Sequence, residues 1–267
     1  MTDHRRVETR SIPASRRWVV KALRAGRRMT PTHGLVQCDV TETLAHLKAS
    51  DPPLSTTGFI VAAVAGAAAA HPEVHAYLNW RGRLVIHHHV DVATLVEVVT
   101  PEGSFPLAHL VRDADSRSLQ EISAEIRTIK ADPTAGGSGR VLRKTSPFVS
   151  RIPGAVALFY RLAAKSVRMR RITGTVSVTS VGMFGGGGGF GIGFPTIQTL
   201  TVLVGGISRR PWVVDGEIVP RDILDLTVTV DHDVVDGAPA ARFVADLRRR
   251  LENPSFGVNP PPFPVSL

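Results

Sequence analysis

The sequence has very little cysteine and no long apolar run. Its only cysteine, Cys38, cannot form a disulfide within the chain, so nothing in the sequence depends on an oxidising compartment. The charged N-terminus lacks the apolar core of a signal peptide. The most apolar run, residues 58–70, is well short of the roughly 20 residues that cross a bilayer, and it predicts a buried helix. These absences argue against a secreted or membrane-spanning protein and favour a cytoplasmic location.

Acidic residues are missing from a long part of the chain. No Asp or Glu occurs in residues 133–214, and the chain as a whole has 32 Lys+Arg against 23 Asp+Glu. Such a basic surface attracts polyanions, but the sequence contains no helix-turn-helix, no zinc-finger spacing and no alternation of aromatic with basic residues. Nucleic-acid binding is therefore not predicted, and charge alone does not choose among anionic partners.

Length and hydrophobic content fit one domain over residues 1–267, since 43% of the residues are hydrophobic. Helical and strand patterns alternate without an internal repeat, which favours a mixed α/β fold. Within this domain we expect an N-terminal basic arm at about 1–18, an insertion at about 132–171 and a Pro-rich tail at about 254–267. Helical patterns cover residues 19–29, 58–70 and 116–130, and strand patterns cover 34–40, 83–86, 90–100, 174–181, 199–205 and 225–230.

Two details of this pattern are specific enough to check. Thr41 is expected to cap the helix that follows it, and Ser116 or Ser118 the helix within residues 116–130. Inside the insertion, residues 155–169 predict one basic amphipathic helix. Two interpretations stay open for it: a surface excursion packed on its own domain, or a docking segment for a partner or a membrane surface.

The most informative segment is Asp-His-Asp-Val-Val-Asp-Gly, at residues 231–237. It places His232 where a predicted strand gives way to a turn, with Asp236 four residues later and Gly237 next to it. A histidine near a carboxylate at a tight turn is a reasonable general-base arrangement. By chemistry alone the arrangement is weak, because such a histidine is more often structural.

The same segment carries a family resemblance. His-Asp-Val-Val-Asp-Gly resembles the His-x-x-x-Asp-Gly signature of the chloramphenicol acetyltransferase and dihydrolipoamide acyltransferase superfamily. Residues 231–254 resemble the dihydrolipoamide acyltransferase cores of 2-oxoacid dehydrogenase complexes, and further similarity runs through residues 111–126, 174–185 and 211–224. The resemblance implies a two-layer fold in which helices flank a mixed β-sheet. It also implies transfer of an acyl group between coenzyme A and a thiol such as dihydrolipoamide.

The resemblance assigns roles to individual residues. His232 would be the general base that deprotonates the attacking thiol, and the Thr179 hydroxyl would stabilise the oxyanion. Ser177 and Thr179 should share one face of their strand while Ser180 points away, so a one-residue shift of the alignment would matter. Asp236 would be structural, paired with Arg17 or else Arg16, and Gly237 would serve the turn. Arg28 and Ser180 are candidates for contacting coenzyme A, and a solvated helix face is an equal alternative for Arg28.

Some features depart from the family pattern. Family cores of the dihydrolipoamide type usually read Asp-His-Arg, whereas Asp233 follows His232 here. The glycine tract of residues 182–193 is richer in glycine than the family pattern, which implies a close backbone approach or a mobile loop. We find no lipoyl-domain hairpin and no small partner-binding domain, so a lipoyl group is expected in trans, from another polypeptide.

The resemblance also implies an assembly. Family members are expected to form homotrimers with the active site between subunits, and larger shells are built from such trimers. Three alternatives stay open for the function: transfer to a thiol, transfer to a small alcohol or amine, and a non-catalytic scaffold that recruits a partner through residues 132–171. The run His87, His88 and His89 does not predict a metal site, because consecutive residues of a strand alternate faces. The glycine tract does not predict a nucleotide site, because it lacks a nucleotide-binding motif. No metal is expected.

Overall fold

The computed structural model describes residues 9, 20, 23–24, 27–100, 103–132, 154–180, 187–194 and 196–256, without the side chains of residues 96–100, 103–107 and 156. Most of the predicted basic arm and of the C-terminal tail lies outside these residues, and so does most of the helix predicted over residues 19–29. Arg16 and Arg17 also lie outside them. The proposed partner of Asp236 therefore stays a prediction.

A mixed β-sheet of six strands dominates the described part of the chain. These strands are β1 (Pro31–Asp39), β4 (Val92–Thr100), β5 (Gly103–Val111), β6 (Val176–Ser180), β7 (Leu200–Val214) and β8 (Glu217–Asp231). Their order is β1-β8-β7-β6-β4-β5, and the short strands β2 (Tyr77–Leu78) and β3 (Leu84–Val85) pair separately. Strand β6 runs parallel to both of its neighbours, and the remaining pairs of the sheet are antiparallel.

The helices of the described residues connect and flank these strands. They are α1 (Thr41–Ala49), α2 (Thr56–Ala70), α3 (Leu119–Ala131), α4 (Ala155–Lys165), α5 (Val167–Thr173) and α6 (Gly237–Glu252), and a 3-10 helix spans Pro72–His75. None of them is long and apolar enough to cross a bilayer. The fold predicted from the sequence, a mixed sheet flanked by helices, is confirmed.

One face of the sheet and the helices α2, α3 and α6 enclose the hydrophobic core. Helix α2 is buried from Gly58 to Ala68 because its side chains are small or apolar all round, as the sequence predicts. It packs against α3 and α6. Val176 and Val178 of β6 belong to this core, so the alternating residues Ser177 and Thr179 face the other side of the sheet.

Two local predictions were wrong and one is confirmed. Thr41 is the first helical residue of α1 and not its N-cap, which is Val40, because the Thr41 hydroxyl donates to Asp39 and accepts from the N–H of Asp222. The single helix predicted over residues 155–169 is two helices that break at extended Ser166. Ser118 caps α3 in a capping box with Glu121, which confirms one of the two predicted caps, Ser116 or Ser118.

Candidate active site

His232 lies on a turn that hydrogen bonds hold on two sides. Strand β8 ends at Asp231, and the N–H of His232 donates to the Thr30 carbonyl at 2.8 Å. The Asp231 carboxylate accepts from the N–H of Thr30 at 3.0 Å and from the N–H of Asp233 at 3.3 Å. The His232 side chain itself is exposed. The backbone is therefore fixed while the imidazole is accessible.

Asp231 is the residue of this turn for which the sequence predicted no role. Burial raises the pKa of its carboxyl group, although the N–H groups of Thr30 and Asp233 oppose that rise by hydrogen bonding. Its position directly before the histidine was a visible signal. Its half-buried place became clear only from the pairing of β8 with β1, which brings Thr30 to it.

Asp236 and Gly237 begin helix α6. Asp236 is exposed at the N-cap position and makes no side-chain cap bond, and within the described residues its carboxylate has no hydrogen-bond or ion-pair partner. Gly237 lacks a left-handed φ, and a Cβ there would meet no heavy atom within 4 Å. The backbone therefore does not support the predicted need for glycine at this turn.

Thr179 lies on β6, on the sheet face that points away from the core. Ser177 and Thr179 share that face and Ser180 lies on the opposite one, as the strand alternation predicts. Thr179 pairs in register with Leu203 of β7. Its side chain is partly exposed, so the hydroxyl is not sealed inside the core.

Within one protomer, His232 and Thr179 do not meet. The register places Thr179 beside Leu203 and Leu203 beside Thr227, which precedes His232 by five residues along β8. At about 3.3 Å per residue along a strand and about 4.8 Å between strands, the two backbone positions are roughly 19 Å apart. One protomer alone therefore does not bring the predicted base and the predicted hydroxyl donor together.

Arg28 lies close to the His232 turn. It belongs to a turn just before β1, is exposed, and precedes Thr30 by two residues. Because Thr30 contacts Asp231, His232 and Asp233, Arg28 is near the histidine in the same protomer. Ser180 lies on β6, away from this turn.

The glycine tract closely approaches β7 in its described part, residues 187–194. A Cβ on Gly205 would lie 2.2 Å from the Gly189 carbonyl oxygen, and a Cβ on Gly206 would lie 2.0 Å from that of Gly187. The N–H of Gly189 donates to Asp225 at 2.6 Å, and the N–H of Gly206 donates to the Gly189 carbonyl at 3.1 Å. Of the two expectations for this tract, close backbone approach is the one these contacts support.

A buried polar cluster lies behind the His232 turn. The N–H of Asp231 donates to the Thr199 carbonyl, and the Thr199 hydroxyl donates to the Ala76 carbonyl at 2.5 Å. Next to Ala76 are His75 and Tyr77, and the Arg170 guanidinium lies 4.4 Å from the centre of the Tyr77 ring. Burial lowers the pKa of His75 to about 3 and that of Arg170 to about 10.

In the described part of the chain, no three His, Cys, Asp or Glu side chains are grouped so that they could hold a metal ion.

A curated relative matches almost the whole chain in sequence. The chain is 26% identical over 266 residues to the dihydrolipoyllysine-residue acetyltransferase component of the pyruvate dehydrogenase complex of Rickettsia prowazekii, covering 92% of this chain and 55% of that protein. It spans about half the length of the curated relatives it matches.

Two solved structures have the same fold. The dihydrolipoamide acetyltransferase of Azotobacter vinelandii superposes with a TM-score of 0.70 at 20% identity, covering 97% of this chain and 98% of that one. The cubic core of the pyruvate dehydrogenase multienzyme complex superposes with a TM-score of 0.69, at the same identity and coverage.

A family model matches most of the chain. It describes the catalytic domain of the 2-oxoacid dehydrogenases acyltransferase family and matches residues 4–137 and 157–257. The unmatched residues 138–156 fall inside the predicted insertion. Since the matched residues make up most of the sequence and include the His232 turn and Thr179, the chain belongs to the 2-oxoacid dehydrogenases acyltransferase family, as its catalytic domain.

Proposed function

We propose that the protein transfers an acyl group between coenzyme A and a thiol acceptor such as dihydrolipoamide, with His232 as the general base. The observation that carries this proposal is the His232 turn, in which a fixed backbone presents an exposed imidazole. Membership of an acyltransferase family supports the same reaction.

The reaction follows from ordinary thiol chemistry. A thiol with a pKa near 8.5 is mostly protonated at neutral pH, so His232 takes the proton as the sulfur attacks the thioester carbonyl. The carbonyl oxygen becomes an oxyanion that accepts a hydrogen bond from the Thr179 hydroxyl. When the intermediate collapses, the leaving thiolate takes the proton back from the imidazolium.

This mechanism needs more than one protomer. His232 and Thr179 are too far apart within one chain, so His232 of one protomer and Thr179 of the next form each site in a homotrimer. The cubic core among the structural relatives supports an assembly of this kind, and larger shells of trimers are part of the proposal. In the Azotobacter protein, a serine, a histidine and an asparagine four positions after the histidine have a role in the catalytic mechanism. Thr179, His232 and Asp236 would take the corresponding places.

The remaining site residues have supporting roles. Asp236 would pair with Arg17 to hold the loop, and Arg28 would contact a phosphate of coenzyme A from its exposed position beside the His232 turn. Ser180 is a weaker candidate for contacting coenzyme A, because it lies on the sheet face opposite to Thr179. The acyl carrier would be a lipoyl group supplied in trans, and residues 132–171 are the proposed docking segment. We place the protein in the cytoplasm.

Variants of the two central residues test the proposal. Formation of coenzyme A from acyl-coenzyme A donors with free dihydrolipoamide is measured by chromatography for His232→Ala and Thr179→Ala, because exchange between two thiols leaves the total thiol unchanged. General-base catalysis predicts losses of about 100- to 10,000-fold for the histidine variant. Ser177→Ala is the matched control for Thr179, because it shares the same face two residues away. Full activity of His232→Ala would refute His232 as the general base, whereas no transfer by the wild-type protein would favour a non-catalytic scaffold.

Mixing the two inactive variants tests the shared site. When His232→Ala and Thr179→Ala are co-expressed at equal levels and assemble at random, roughly a quarter of the interfaces combine an intact His232 with an intact Thr179. Activity near a quarter of the wild-type value supports a site built by two protomers. No recovery in correctly assembled mixed trimers contradicts it.

A further inference from the structure

Three large apolar side chains project from the described part of the glycine tract, residues 187–194, which we call the glycine loop. Phe190, Ile192 and Phe194 are 40%, 64% and 69% exposed, and Gly191 and Gly193 separate them. We call these three residues the apolar ridge. Single exposed apolar residues are common on proteins, but three in a row with only glycine between them leave an apolar surface that a ligand could cover.

The backbone that carries the ridge is fixed to the sheet. On its N-terminal side, the N–H of Gly189 donates to Asp225, and the Gly189 carbonyl accepts from the N–H of Gly206. Further along, a Cβ on Gly193 would lie 3.0 Å from Leu203 Cδ1, so the loop backbone packs directly on Leu203. The ridge is therefore held in place and does not need a ligand to form.

The ridge also lies next to the proposed reaction centre. Leu203, on which the loop packs, is the register neighbour of Thr179 and faces the same side of the sheet. On the other side of β6, Ala93 pairs with Ser177, so Leu95 two residues later faces that side as well, and its side chain is 43% exposed. The Thr179 hydroxyl is thus a polar group with apolar neighbours on both sides.

We propose that the apolar ridge, with Leu95, binds the acyl group of the thioester, and that the enzyme takes donors with large apolar acyl groups. This inference rests on the proposed acyl transfer and names its substrate class. A carbonyl placed at Thr179 would leave its acyl chain beside these apolar side chains, and burying the chain there would remove both surfaces from water. An acetyl group is too short to cover the ridge.

A series of donors tests the inference. With free dihydrolipoamide as acceptor, kcat/KM is measured for acetyl-, butanoyl-, hexanoyl- and octanoyl-coenzyme A. Burying each added methylene should raise kcat/KM roughly threefold to fourfold until the ridge is covered. Values that stay flat or fall along the series would overturn the inference and leave the proposed reaction intact, whereas no transfer from any donor would count against the reaction itself.

Variants of the apolar ridge provide a second test of the inference. In Phe194→Ala and in Phe190→Ala, the ratio of octanoyl to acetyl kcat/KM should fall at least tenfold. Ile172→Ala is the matched control, because Ile172 is 53% exposed and lies on α5, outside the glycine loop, and its ratio should not change. If the ridge variants instead keep the ratio and lose their assembly in sedimentation, the ridge is a contact between copies of the chain and the inference is wrong.

Discussion

The Thr30 hydroxyl donates a hydrogen bond of 2.8 Å to Asp233, the residue that stands where family members usually have arginine. The bond joins the residue before β1 to the turn after β8, directly beside His232. We expect Thr30→Val to lower kcat about threefold to tenfold, because an exposed hydrogen bond of about 1 kcal/mol is lost from the turn that orients the imidazole. Steady-state kinetics with one acyl donor measures this change.

The matched variant for this prediction is Asp233→Asn. It removes the charge and keeps an oxygen that accepts from Thr30, so kcat should stay near the wild-type value. The free energy of unfolding should fall by about 1 kcal/mol in Thr30→Val, which loses the hydrogen bond, and should stay near the wild-type value in Asp233→Asn, which keeps it. A larger loss of kcat in Asp233→Asn than in Thr30→Val would show that the charge matters and the hydrogen bond does not.

The elements of the fold could be predicted because their signals are local. The apolar run that forms α2 and the Ser118 capping box need only neighbouring residues, and the structure confirms both. Prediction failed where a distant residue competes for a local group. Thr41 is not a cap because its hydroxyl also accepts from the N–H of Asp222, a residue on β8.

The candidate site could also be predicted only in part, because its geometry depends on contacts between distant residues. Sequence and resemblance selected His232 and Thr179, but the distance between them depends on the register of β6, β7 and β8, which no local pattern encodes. The glycine tract was visible, yet its partner residues Gly205 and Gly206 were not, because they lie across the chain on β7. The half-burial of Asp231 likewise arises from the pairing of β1 with β8.

The buried carboxylate of Asp225 depends on Arg210. Burial alone would raise the pKa of Asp225, but hydrogen bonds from Gln37, Arg210 and the Gly189 N–H hold it below its usual value. We expect Arg210→Ala to lower the free energy of unfolding by about 2 kcal/mol, less than for a fully buried pair because the Arg210 side chain is 30% exposed. Urea unfolding measures the loss. Adding Asp225→Asn to this variant should recover part of it, and a further loss would contradict the account.

The contact between the glycine loop and β7 gives a second stability test. Gly205→Ala should destabilise the fold by about 1–3 kcal/mol, because its Cβ would meet backbone oxygens of Gly189 and Asp225 that cannot move independently. Gly34→Ala is the matched control in β1, where the nearest atom to a Cβ is the Val228 oxygen at 3.9 Å. Alanine there should be neutral or slightly stabilising in urea unfolding. Equal stability of the two variants would mean that the loop does not pack on β7.

His75 should make the protein sensitive to acid. Burial holds the pKa of this ring at about 3, whereas in the unfolded chain it is about 6.5, so only the unfolded state binds the proton between these values. The free energy of unfolding therefore falls as the pH drops from about 6.5 toward 3, by up to about 1.4 kcal/mol per pH unit from this group. In His75→Leu that slope should be smaller, as measured by urea unfolding between pH 4 and 7. An unchanged slope in His75→Leu would place the acid sensitivity elsewhere.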